Sequence, residues 1–82
     1  MHTLFVFVQC ELGRTYDVAA KLVDEIEGVA EVYSISGEYD LLVKAHPPAD
    51  AGVFVTQILQ RVPGVQRTST VLAFNAFTPS GI

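Results

Sequence analysis

Apolar residues fall into six blocks along this chain, separated by glycine, proline and charged positions. Residues 3–9 (TLFVFVQ) are crowded with Phe, Val and Leu and alternate little, which predicts a strand covered on both faces. Gly13-Arg14 breaks that run. Thr15 is then expected to cap a helix through its hydroxyl, with Asp17 near the positive helix end. Val18, Ala19, Leu22, Val23 and Ile26 follow at helical spacing, while Lys21, Asp24, Glu25 and Glu27 face away. Gly28 stops the helix. Residues 31–36 (EVYSIS) predict a strand, Gly37-Glu38 a short turn, and residues 39–45 (YDLLVKA) a returning strand, together a hairpin. Pro47-Pro48 ends it. Asp50 caps a second helix with Val53, Phe54, Ile58, Leu59 and Val62 at three- and four-residue spacings, and Pro63-Gly64 closes it. Residues 65–77 predict one long last strand, and residues 78–82 a loose tail.

The predicted order is β-α-β-β-α-β, and the chain echoes itself. Residues 26–34 (IEGVAEVYS) align with 62–70 (VPGVQRTST): a helix end, a glycine stop, a valine, then a strand. A duplicated α-turn-β unit is what a ferredoxin-like α+β fold contains, with two helices on one face of a four-stranded antiparallel sheet. Strand parity exposes a difficulty. Thr3, Phe5, Phe7 and Gln9 point one way, and Leu4, Val6, Val8 and Cys10 the other; Thr70, Leu72, Phe74 and Ala76 oppose Val71, Ala73 and Phe77. Both faces are apolar, and one has no helix to cover it. An uncovered face exceeds the apolar patch a soluble monomer usually carries. A second copy packed sheet on sheet removes it.

Size and composition press the same way. One domain of 82 residues, 50% apolar and 17% charged, has a thin core. Cys10 is the single cysteine, so no disulfide forms within the chain, and His2, His46 and Cys10 lack metal-ligand spacing. Association with another copy is the remaining support. Nine Asp/Glu stand against five Lys/Arg (Arg14, Lys21, Lys44, Arg61 and Arg67), which do not cluster. Direct nucleic-acid binding is therefore disfavoured. No apolar run is long enough to span a membrane, and no secretory signal is recognised at the N-terminus, so the expected location is cytoplasmic.

One set of residues carries more than fold. Residues 26–29 (IEGV), Val32-Tyr33, residues 37–43 (GEYDLLV), residues 63–65 (PGV) and 68–70 (TST), in this order, resemble the effector-binding domain of the Lrp/AsnC family of transcription regulators. The likeness runs from about Leu4 to Phe74, and the GEYD hairpin followed by an apolar strand is its most telling part. The resemblance implies dimers formed through facing sheets, rings of eight or ten chains, and amino-acid effectors held between dimers. The family's regulators carry an N-terminal helix-turn-helix. This chain starts at its first strand, so the resemblance implies a stand-alone member acting with full-length regulators. It divides as a ligand-binding domain over residues 1–77 and a tail over 78–82.

The candidate site residues follow. Asp40 has two readings: a hairpin stabiliser that accepts backbone N–H groups, and, with the resemblance, a carboxylate for an effector's α-ammonium. Gly37 supplies the turn's backbone conformation or lets a ligand approach. Tyr39 packs at the core edge or presents its hydroxyl at a subunit boundary. Thr68, Ser69 and Thr70 are explained as strand formers. The resemblance adds that hydroxyls of this strand line the family's pocket, with Thr68 and Thr70 favoured over Ser69. Val32 and Ser34, taken to lie on the neighbouring strand, are expected to line the same cleft. Cys10 reads as a half-buried strand residue, and His2 and His46 as surface residues. No catalytic constellation, metal cluster or cofactor motif assembles from the rest. Arg14 beside Gly13 is faintly like the anion loop of acylphosphatases, whose partner Asn would have to be Asn75. The leading expectation is a non-enzymatic, amino-acid-sensing module. A dimeric α/β-barrel enzyme and a purely structural oligomerisation module are the alternatives.

Overall fold

A computed structural model describes residues 3–79. The elements are β1 (Thr3–Cys10), α1 (Thr15–Glu25), β2 (Val29–Ser34) and β3 (Leu41–Ala45), then a helical segment over residues 51–61, then β4 (Val65–Ala73). The sheet is antiparallel in the order β2-β3-β1-β4, as expected for the ferredoxin-like α+β class. The expected tail over 78–82 lies mostly outside the described residues.

The strand parity read from the pattern is the parity of the sheet. Leu4, Val6, Val8 and Cys10 of β1 are buried together with Leu41, Val43 and Ala45 of β3. Against them pack Val18 and Leu22 of α1 and Phe54, Val55, Leu59 and Val62 from the second helical segment and the turn after it. The other face stays open. Phe5 and Phe7 pair across it with Lys44 and Leu42 of β3 and with Val71 and Ser69 of β4, and Tyr33 and Val71 are about half exposed.

Four expectations are corrected. Thr15 does not cap α1. The Arg14 N–H donates to the Glu11 carbonyl (3.0 Å), and this turn puts Arg14 at the cap, with Thr15 as the first helical residue and no side-chain cap bond. The predicted hairpin is wider than a two-residue turn: β2 ends at Ser34 and β3 begins at Leu41. The Ile35 N–H donates to the Asp40 carbonyl (3.0 Å), but the Asp40 N–H turns away to Val8 of β1 (2.9 Å), so residues 35–40 form a loop. The second helix is capped by Asp50, whose carboxylate accepts from the Val53 N–H (3.1 Å). It is not uniformly α-helical, being α over Ala51–Val53, π over Phe54–Ile58 and 3-10 over Leu59–Arg61. The Leu59 N–H reaches the Phe54 carbonyl, one residue further than an α-turn spans. Phe54 and Leu59 are both buried, while Ile58, expected in the core, is 38% exposed. Finally, β4 ends at Ala73 instead of reaching Phe77. Among the described residues β1 begins at Thr3, which pairs with Ala73, so residues 74–77 have no β1 partner to continue the ladder.

Candidate functional site at the hairpin end of the sheet

The loop 35–40 meets the sheet where β1 ends. Gly37 has φ +108°, a region that side chains other than glycine enter only with strain, and a Cβ built there meets nothing within 4 Å. The tip is thus open on its outer side. Asp40 is fixed to β1 twice: its N–H donates to the Val8 carbonyl, and its Oδ2 accepts the Cys10 N–H at 2.8 Å. Asp40 does accept a backbone N–H, but the donor is Cys10 of β1 and not a residue of the hairpin turn. The carboxylate stays half-buried, not enclosed.

Tyr39 lies over the open face. Its ring is 5.7 Å from that of Phe7, tilted at 46°. The Arg67 guanidinium sits 4.9 Å from the Tyr39 ring centroid. Arg67 also donates from Nε to Gln9 Oε1 (3.1 Å) and from Nη2 to Glu38 Oε2 (3.4 Å). Arg67, Gln9 and Glu38 were not singled out from the sequence. The register pairs Gln9 with Arg67, but whether the loop folds back onto that pair is not encoded in strand parity.

The remaining candidates are dispersed. Thr68 pairs with Val8 and Thr70 with Val6, so both lie on the helix side of β4, sharing one side as expected; Ser69 pairs with Phe7 on the open face. The Thr68 hydroxyl accepts from Gln60 Nε2 (2.8 Å). Val32 pairs with Val43 and packs against the core, and Ser34 pairs with Leu41 and is exposed. The expectation that Val32 and Ser34 neighbour the Thr68 strand is overturned by the strand order. β2 and β4 are opposite edges with β3 and β1 between them, roughly 14 Å apart at the usual strand spacing. One chain therefore joins Tyr39 to the start of β4 through Arg67 and Asp40 to the end of β1, but leaves Val32 and Ser34 outside any cleft that Thr68 and Thr70 line.

Cys10 is buried more fully than expected. Burial pushes its thiol above the ordinary value of 9.0, the Asp40 charge adds to this, and a hydrogen bond with Thr15 opposes it. At the other end of the open face, Thr3, Phe5, Lys44, His46 and residues 73–77 line a groove of about 480 Å³. His46 is half-buried there, its Nδ1 3.2 Å from the Thr3 hydroxyl, and Lys44 lies 4.0 Å from Glu31. Asn75 also lines this groove. Arg14 pairs with Glu11 and Asp17 (3.9 and 3.6 Å) and lies beside Gly64, away from the groove that Asn75 lines with Thr3 and His46. Among the described residues no three His, Cys, Asp or Glu side chains gather as metal ligands, and no helix is long and apolar enough to cross a membrane.

The family model for the Lrp/AsnC ligand binding domain matches residues 3–81. An uncharacterised helix-turn-helix-type transcriptional regulator of Pyrococcus furiosus is 33% identical over 76 residues, 88% of this chain and 51% of that protein. The chain spans about half the length of the curated relatives it matches. A solved protein of Thermus thermophilus is 35% identical with a TM-score of 0.82, over 96% of this chain and 100% of that one. A Neisseria meningitidis transcriptional regulator solved as its L-Met complex shares the fold at 21% identity and a TM-score of 0.80, over 95% of this chain and 53% of that one.

Proposed function

The chain belongs to the Lrp/AsnC ligand-binding domain family, and on that premise we propose that it senses an amino acid at the hairpin end of its sheet, in a site completed by further copies of itself. The family is one of transcription regulators, not enzymes. The observation that carries the proposal is Asp40. Its carboxylate is pinned through one oxygen to β1 beside an unobstructed glycine turn, which suits an acceptor held ready for an α-ammonium group. The L-Met complex of the neisserial regulator supports an amino acid as the ligand class. Backbone N–H groups and hydroxyls, with Thr68 and Thr70 as first candidates, serve the effector's carboxylate. Because β2 and β4 are opposite edges, Val32 and Ser34 join that site only from another copy.

The assembly begins with a homodimer through the open sheet face. Phe5, Phe7, Leu42, Tyr33 and Val71 form an apolar layer on that face, and Phe74 and Phe77 are almost fully exposed beside it. Burying such a layer against its twin is the least costly way to remove it from water. Dimers then combine into an octamer or decamer, and the effector biases one assembly over another through its differential affinity for them. The output runs through full-length DNA-binding regulators of the same family.

The test is a thermal-shift screen of the twenty standard L-amino acids at millimolar concentration, run beside native mass spectrometry. A shift with one or two of them, lost in Asp40→Ala, is the expected result. No shift with any of them removes the sensing role and leaves an assembly module.

A further inference from the structure

The loop 35–40 holds a defined shape with few internal bonds. Apart from the Ile35 to Asp40 hydrogen bond, the contacts that hold it come from β1 and β4. Those from β4 come through one side chain. Arg67 reaches Glu38 with Nη2, holds Gln9 with Nε and spreads its guanidinium over the Tyr39 ring, which rests on Phe7.

We infer that Arg67 is the positioning residue of the hairpin: set against the Tyr39 ring and tied to Gln9 and Glu38, it sets where residues 38–40 stand. The two halves of the contact differ in weight. The Glu38 pair is exposed, its side chains 49% and 75% accessible, and such pairs are screened by water and salt. The guanidinium lies 4.9 Å from the Tyr39 ring centroid, within cation–π reach, while its Nε holds Gln9, a combination that suits arginine's rigid fork better than lysine's flexible ammonium. The Nε bond to Gln9 ties the guanidinium to β1. Tyr39 is the residue before Asp40, so its anchoring limits where the Asp40 carboxylate stands. The consequence for a ligand rests on the effector reading given above; the clamp itself does not.

The test separates the two. Amide hydrogen exchange is followed in the ligand-free protein at Ile35, Asp40 and Cys10, whose N–H groups end on or start from the loop. Val6 and Val43, in the core strands, serve as controls. Arg67→Met is expected to speed exchange at the three loop-linked amides about fivefold, with the controls unchanged, because local opening is set by local contacts. Arg67→Lys is expected to behave like Arg67→Met, and Glu38→Gln like the native protein. Tyr39→Leu, which removes the stacking partner, should reproduce Arg67→Met. Unchanged exchange in Arg67→Met, or an equal change at the controls, overturns the clamp. Full rescue by lysine overturns the stacking. The amino-acid screen is then repeated on Arg67→Met. If native protein responds and Arg67→Met responds equally despite a loosened loop, positioning of the effector site is refuted. If native protein responds to no amino acid, the effector reading fails while the exchange data still decide the clamp.

Discussion

At the scale of single residues, Asp40 and Cys10 are joined. The Asp40 carboxylate accepts the Cys10 N–H, and its charge helps to hold the buried thiol protonated. Asp40→Ala leaves that N–H without its acceptor and should cost about 1–3 kcal/mol, measured by urea denaturation; Asp40→Asn, which keeps an acceptor oxygen, should cost less. The thiol supplies a second expectation. Its folded value lies above 9.0, so as pH rises the unfolded chain gives up this proton before the folded one does. Stability from the neutral thiol is therefore complete below the unfolded value and declines as pH climbs through it toward the folded value. Native Cys10 should resist iodoacetamide at pH 8 and approach the rate of a free cysteine only after unfolding is induced. Equal alkylation of native and urea-unfolded protein at that pH would contradict this.

At the scale of elements, the turns and the second helical segment show which local signals were sufficient. Asp50 announces its helix and caps it, and Asp50→Ala should lower stability by about 1 kcal/mol. Two glycines of similar φ separate backbone strain from crowding. Gly37→Ala meets open space, so only the left-handed backbone opposes it, at about 1–2 kcal/mol. At Gly64, with φ +97°, the new Cβ stands 2.7 Å from Val18 Cγ2 and 3.2 Å from Arg14 Cβ. Gly64→Ala should therefore lower Tm well beyond Gly37→Ala in parallel melts. The π turn behaves differently. The apolar spacing over residues 53–62 is compatible with an α-helix, and nothing in it announces the one-residue expansion. That choice is made by Phe54 and Leu59 both being drawn beneath the sheet.

At the scale of the whole molecule, the proposed dimer turns on the open face. Phe7 is at the centre of that face, between Leu42 and Ser69 and under Tyr39. Phe7→Glu puts a charge where a facing copy would need apolar contact, and should shift sedimentation to the single-chain mass while far-UV circular dichroism keeps its shape. If the native protein already sediments as a single chain at micromolar concentration, the interchain site has no walls and the sensing proposal falls with it.

Strand parity, the β-α-β-β-α-β order and the position of the GEYD hairpin were legible in the sequence because each is a local property. A two-residue period selects a face, a glycine stops a helix, and a family likeness lies in consecutive residues. The ends of the strands were not legible, because a strand lasts only as long as its partner: among the described residues the last pair of β4 is Ala73 with Thr3. Nor was the setting of the candidate site. Asp40 reaches back 30 positions to Cys10, and Arg67 stacks on Tyr39 across the strand that separates β3 from β4. Local periodicity settles what each segment becomes and which side it buries. Which distant side chains then meet depends on sheet order and loop path, and those are determined only when the whole core has closed.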